Sequence, residues 1–249
     1  MKRATPAVTV FLVVVVGWQA LHGLLGINSL LLPSPSAIVK ACMAHLPQLL
    51  QETGITMAEA ILGFALGSAG AFVTAIVFIM APLMERAAYP YAIALKATPL
   101  IVIAPLLVAW FGNGLVSKVA MSAVIAFFPV LVSAISGMSR INSGMLDLMT
   151  SLSASRWQVL KRIRIPSSLP LVFAGLRTSS SLAVVGAVIA EFTGATQGIG
   201  HLINTSSYYL QTDLMFAAIA MISLSGIAFF YTVAAVEKRI VFWSPVREG

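Results

Sequence analysis

Residues 56–80 read TMAEAILGFALGSAGAFVTAIVFIM, and Glu59 is the one charged side chain among them. A helix needs about 20 predominantly apolar residues to cross the hydrocarbon of a bilayer, and this stretch supplies them. It has no period-two alternation, so it does not fit a strand of a membrane barrel. Similar runs recur at 6–27, 117–138, 169–191 and 214–236, and at 89–111 one is interrupted by Pro90, Pro99 and Pro105. Only helices or closed barrels satisfy their backbone groups inside hydrocarbon. The expectation is therefore an all-α polytopic membrane protein with about six transmembrane helices.

Composition points the same way. Hydrophobic residues make up 59% of the chain and charged residues 9%, against roughly 25% charged in soluble domains. So few charges could not cover a soluble surface of this size. The net charge of +7 does not indicate nucleic acid, because the basic residues are not gathered with aromatics on one soluble domain. Lys2-Arg3 and the run after it could pass for a signal peptide. The run is too long for that and lacks a small-x-small site, so it is read as a retained first helix. Cys42 is the single cysteine, so no intrachain disulfide can form. His22, His45 and His201 are scattered without metal-ligand spacing, and Ser179, Ser180 and Ser181 have no placed base. Neither a catalytic, a cofactor nor a metal site is expected, and no phosphate-binding loop is present.

Lys and Arg positions set the expected orientation. With both termini in the cytoplasm, Lys2, Arg3, Arg86, Arg140, Arg156, Lys161, Arg162, Arg164, Lys238, Arg239 and Arg247 all fall inside, and only Lys40 and Lys118 lie clearly outside. Within the spans, Gly63, Gly67 and Gly70 are spaced to let helices approach closely, although glycine is also simply tolerated in membrane helices. Pro99 and Pro105 should kink or unwind the third span, which fits either a solute path or local packing. Glu59, Lys96, Arg177 and Glu191 are expected to reach an interface by snorkelling. Glu191 has an alternative role at an outer gate, and Arg177 an alternative role in attracting an anionic solute.

Residues 139–168 form the longest polar insert. Leu148, Leu152, Val159 and Ile163 recur at helical spacing with basic residues between them. Ser153 marks a turn, and Pro166 and Pro170 are expected to end the segment. Composition alone leaves two readings open: a solvated loop or interfacial helix touching anionic lipid, or a helix presented across the cytoplasmic face.

The spacing of this insert resembles the EAA loop of ABC importer permeases. Asp147, Leu148 and Met149 stand at the Glu-Ala-Ala positions, Ser153 at the glycine position, and Ile163-Arg164-Ile165-Pro166 at the closing Ile-x-Leu-Pro. Gly63-Phe64, Trp110-Phe111-Gly112, Ser155-Arg156-Trp157-Gln158, Gly175-Leu176-Arg177, Glu191 and Gly198-Ile199-Gly200 are similar to the nitrate/sulfonate/taurine-type branch in order and spacing. Asp for Glu, Ser for Gly and the acidic Glu59, where a basic residue is expected, are departures.

The resemblance implies a type I ABC importer (MetI-like) transmembrane fold in a bacterial plasma (inner) membrane. It implies as partners a second permease copy, a cytoplasmic ABC ATPase dimer that hydrolyses ATP, an external solute-binding protein and membrane lipid. The chain itself is then not an enzyme. The implied coupling residues are Asp147, Leu148, Met149, Leu152, Ser153, Arg156, Trp157, Ile163, Ile165 and Pro166, and candidate pathway or gate residues are Pro99, Pro105, Arg177 and Glu191. The expected organisation is an N-terminal helix and external amphipathic segment (1–55), a permease core (56–238) containing the coupling loop (139–168), and a cytoplasmic tail (239–249). The expected solute is small and anionic or heterocyclic. The alternative is a single-chain secondary transporter, but no inverted repeat is visible.

Overall fold

The computed structural model describes residues 5–84, 87 and 99–243, and no strand occurs among them. The first apolar run forms α1 (Thr5–Leu25). After it, α2 (Pro35–Ala44) starts from Ser34, whose hydroxyl accepts from the Ala37 N–H. Pro35 then occupies the first turn, where a missing N–H costs nothing. The next helix, α3 (Leu46–Met80), begins ten residues before the expected start at Thr56. Pro47, which has no N–H to donate, separates it from α2. Downstream of Pro47 nothing breaks the helix, and Leu49, Thr53 and Thr56 turn one buried face inward. At 1.5 Å per residue its 35 residues exceed the ~30 Å of hydrocarbon, so α3 projects beyond the membrane.

The third expected span is described only from Pro99 onward. A 3₁₀ turn at Leu100–Val102 leads into α4 (Ile103–Phe111), with Pro105 in its first turn. Pro99 itself is not helical, and the part of the expected span before it lies outside the described residues. Lys2, Arg3, Arg86, Pro90, Lys96 and Arg247 lie outside the described residues. The chain continues as α5 (Leu115–Ser139), α6 (Ser143–Ser151), α7 (Arg156–Phe192), α8 (Ile199–Tyr208) and α9 (Thr212–Ile240). Among the described residues, α3, α5, α7 and α9 are long and apolar enough to cross a bilayer.

One expectation fails at α7. Pro166 and Pro170 were expected to end the insert, but the helix runs through both. Just before Pro166, residues Leu160–Arg164 form a π-turn in which the Ile165 N–H donates to the Leu160 carbonyl, five residues back. Such a widened turn is where a helix absorbs a proline that cannot donate.

Between helices in lipid there is no hydrophobic drive, so close packing and hydrogen bonds hold the bundle. The two most extensive contacts join α5 to α7 and α3 to α5. Gly67 faces Ala123 so closely that an added Cβ would stand 2.9 Å from the Ala123 Cα, and a Cβ on Gly63 would stand 2.7 Å from the Val119 carbonyl. Gly70 meets only Phe127 at 3.9 Å, so two of the three spaced glycines make the close approach. Across the antiparallel α5–α7 pair, the Ser122 hydroxyl donates to the Ala183 carbonyl at 2.9 Å and the Ser179 hydroxyl to the Ala126 carbonyl at 2.8 Å. Each such bond contributes about 0.6 kcal/mol in a membrane bundle. The outward side chains stay apolar, for example Leu66, Val73 and Leu224, as a lipid-facing surface requires. One end of the bundle gathers the starts of α5 and α8 and the end of α7; the other gathers α6, the end of α5 and the end of α9.

Candidate functional site

The insert builds a rigid, projecting element. The Asn142 side chain starts α6 by accepting from the Gly144 N–H at 2.8 Å. At its far end the Ser153 N–H donates to the Thr150 carbonyl and the Ala154 N–H to the Met149 carbonyl, both at 2.9 Å. These two bonds form the Schellman ending of a helix, which needs a left-handed residue at the turn. Ser153 is that residue, with φ of 53°, so serine stands where glycine would be unstrained. Two residues later, Ser155 and Gln158 form a reciprocal capping box that starts α7. Two helices are thus locked back to back around a short turn.

No residue of α6 is buried. Met145, Leu148 and Leu152 on this element, and Trp157 just after it, are exposed by 50–67%. Asp147, Ser153, Arg156, Lys161 and Arg162 are also exposed, and Met149, Ile165 and Pro166 are half-buried. Ile163 is buried. The helical spacing of Leu148, Leu152, Val159 and Ile163 therefore does not describe one face, because the turn at Ser153 redirects the chain. Arg164 also departs from the exposed basic set: its guanidinium donates to the Met138 carbonyl at 2.7 Å and satisfies the C-terminal end of α5.

At the opposite end of the bundle lies a buried polar cluster. Glu191 is 1% exposed. Its Oε1 accepts from the Thr56 hydroxyl at 2.6 Å, and its Oε2 accepts from the Gly200 N–H at 2.5 Å. The Ile199 N–H donates to the Thr56 hydroxyl oxygen at 2.8 Å. Glu191 thus places its carboxylate on the N-terminal end of α8, where helix donors and the helix dipole favour an anion. Gly198 has φ of 103°, and a Cβ there or on Gly200 would stand 2.7 Å from Glu191 Oε2. The Gly198-x-Gly200 pair is therefore a cradle for this carboxylate. The Gly198 N–H donates to Glu52 Oε2 at 2.5 Å. Asn113 donates to the Gly194 carbonyl, and the Lys118 ammonium donates to the Asn113 carbonyl. Glu59 is 4% exposed and faces Glu191 and Lys118.

The sequence matches the family of binding-protein-dependent transport system inner membrane components over residues 78–242. The chain belongs to that family. It is 33% identical to the riboflavin transport system permease protein of Chloroflexus aurantiacus, over 93% of this chain and 87% of the relative. It is 31% identical to the formylaminopyrimidine transport permease protein of Halalkalibacterium halodurans, over 98% of each. The taurine transport system permease protein of Escherichia coli is 26% identical over 97% of this chain and 90% of its own. The inward-facing methionine ABC transporter MetNI shares the fold, with a TM-score of 0.68 at 13% identity, covering 79% of this chain and 98% of that one. The permease is thus a multi-pass membrane subunit of an ABC importer, with the type I (MetI-like) all-α fold.

In this permease Glu59, Glu191 and Arg177 each find partners inside the protein, whereas Lys96 lies outside the described residues. Glu59 and Glu191 are buried in the polar cluster, because Thr56, the α8 donors and Lys118 supply partners that an interface would otherwise provide. Arg177 also has a partner: its Nε lies 3.1 Å from Glu237 Oε2, with side-chain exposures of 30% and 6%. It ties α7 to the end of α9 and does not stand as a free cation for an anionic solute. Pro99 and Pro105 are exposed, and neither joins the cluster. Thr56, Glu52, Asn113 and Lys118 were not singled out for this cluster from the sequence. Thr56 lies 135 residues from Glu191, and no local pattern links them. The Gly-x-Gly step following Glu191 was the one available signal.

Proposed function

We propose that the permease forms the solute pathway of an importer driven by ATP hydrolysis on a partner, and that α6 with its Ser153 turn is the element that docks on that partner. The observation that carries this reading is the exposure of Met145, Leu148, Leu152 and Trp157 on a doubly capped helix with no buried residue. Lipid does not require such rigidity, whereas a groove on a moving subunit does. Arg156, Lys161 and Arg162 add a basic rim. Closure of an ATPase dimer would move α6 as a rigid body, and the π-turn followed by continuous α7 would carry that motion into the membrane. A ligand-biased two-state assembly of this kind needs no chemistry on the permease itself.

The remaining assignments belong to the same reading. Two permease copies pair as a homodimer and an external binding protein delivers the solute. The chain sits in a bacterial plasma (inner) membrane with both termini in the cytoplasm, so α6 faces inward and the Glu191 cluster faces outward. Residues 56–238 form the permease core, with the coupling loop at 139–168, the N-terminal helix and external segment at 1–55 and the tail at 239–249. The relatives named for riboflavin, a formylaminopyrimidine and taurine support a small anionic or heterocyclic solute.

The test is co-purification. The tagged chain is extracted in mild detergent, natively and with residues 147–166 replaced by a flexible linker. A P-loop ATPase retained by the native chain and lost with the linker is the expected result. No ATPase with either form, from cells that express the candidate, would favour a single-chain transporter instead.

A further inference from the structure

The cluster around Glu191 holds two carboxyl groups in contact. Glu191 is well supplied with donors: the Thr56 hydroxyl reaches its Oε1 at 2.6 Å and the Gly200 N–H its Oε2 at 2.5 Å. Glu59 is buried beside it, and no donor among the described residues reaches its Oε2. Instead, Glu59 and Glu191 share a hydrogen bond. Two carboxylates offer only acceptors, so that bond exists only when one of them carries a proton. Donors on both oxygens stabilise a carboxylate. Glu191 has them and Glu59 does not, so the proton belongs on Glu59.

The surrounding charges lead to the same count. Lys118 on α5 faces both carboxyl groups, and one ammonium balances one carboxylate. Glu52 on α3 turns instead to the Gly198 N–H, and His201 on α8 pairs with Thr205 of its own helix. A second carboxylate beside Glu191 would set two like charges against each other out of water, which disfavours ionising both. One proton leaves Glu191 matched to Lys118. Water can supply it: Glu59 and Lys118 line a polar cleft of about 310 Å³ whose walls include Asn113, Thr196 and Gln197, and the last two are exposed.

We propose that Glu59 and Glu191 form a one-proton site that latches α3 to α7 and to the start of α8, and that loss of the proton releases the loop from Gly194 to Gly198. Without the proton the two carboxylates repel. Glu191 then moves against a cradle that has no spare room at Gly198 and Gly200. The Gly200 N–H bonds to Glu191, and the Ile199 N–H bonds to Thr56, which itself donates to Glu191. A displaced Glu191 therefore frees the first donors of α8. The closed state binds one more proton than the open state, so rising pH favours opening, by up to about ten-fold per pH unit. That the latch faces outward rests on the permease orientation proposed above; that it holds a proton does not.

The test uses the full chain in lipid nanodiscs, with difference infrared spectroscopy and hydrogen exchange from about pH 6 to about pH 9, above the ordinary range of a glutamate. The native chain should show a carboxylic-acid C=O band at the low end that is missing in Glu59→Gln and that fades as pH rises. Over the same interval, exchange of the Ile199 and Gly200 amides, corrected for intrinsic rates, should quicken at least ten-fold. In Glu59→Gln, whose amide stays uncharged and can donate to Glu191 at every pH, that pH dependence should be lost; Glu52→Gln should keep it. If Glu59→Gln fails to fold, the native chain still decides, because its band and its exchange must change over one pH interval. The proposal is overturned if the native chain has no acid band, if the band persists while exchange quickens, or if Glu59→Gln keeps the native pH dependence. A chain that retains its ATPase yet shows no acid band would overturn the proton site and leave the permease reading standing.

Discussion

Replacing Ser153 by glycine should tighten the end of α6. Ser153 sits at φ of 53°, and an L-residue in the left-handed region costs roughly 1–2 kcal/mol relative to its right-handed conformation. Glycine removes that cost but loses roughly 0.5–1 kcal/mol more chain entropy on ordering. The net gain is about 0.5–1 kcal/mol, which at an RT of about 0.59 kcal/mol is roughly a two- to five-fold shift in the local opening equilibrium. The reporter is the Ala154 amide, whose bond to the Met149 carbonyl exists only while the Schellman turn is closed. Hydrogen exchange of that amide, corrected for intrinsic rates, should slow two- to five-fold in Ser153→Gly. It should quicken in Ser153→Val, because a β-branched residue tolerates the left-handed region worst. Unchanged or faster exchange in Ser153→Gly, or unchanged exchange in Ser153→Val, would refute the left-handed turn as the source of strain.

Two further substitutions probe the opposite ends of the bundle. Thr56→Val removes the hydroxyl that bridges Ile199 and Glu191 and leaves a buried carboxylate oxygen short of a donor, at a cost of about 1–3 kcal/mol; thermal unfolding in detergent should fall by several degrees and the start of α8 should lose exchange protection. Arg177→Gln strands the nearly buried Glu237. A fully buried broken pair costs about 3–5 kcal/mol, and the partial exposure of Arg177 should reduce this to about 1–3 kcal/mol. Adding Glu237→Gln should recover most of the loss, and uptake in that double variant should persist if Arg177 serves as a tie between helices and not as a solute ligand.

The membrane class was legible because charges are scarce and spread in long gaps, a property of the whole chain that no tertiary partner can alter. The Ser153 turn was legible because spacing placed a small residue where two helices must separate. Helix ends were less so. The polar run Gln51-Glu52-Thr53 resembles a link, but Leu49 and Thr53 have buried places against other helices and keep it helical. Pro166 resembles a stop, but a π-turn one residue earlier absorbs it. The burial of Glu59 and Glu191 could not be read locally, since their partners Thr56, Lys118 and the α8 donors come from three separate elements. A charge in a span reads as snorkelling until those partners are placed around it.

Contact between α6 and the ATPase is the most direct test of the account. Single cysteines are placed by Leu148→Cys and Leu152→Cys on the exposed face of α6, and by Val73→Cys and Leu224→Cys on outward faces of the bundle, in a Cys42→Ser background. Each is treated with a short bifunctional crosslinker after purification with the partner ATPase. Crosslinks to the ATPase at positions 148 and 152, altered in yield by ATP and absent at 73 and 224, are the predicted result. An ATPase that stays bound while positions 148 and 152 give no crosslink would contradict the assignment of α6 as the docking element.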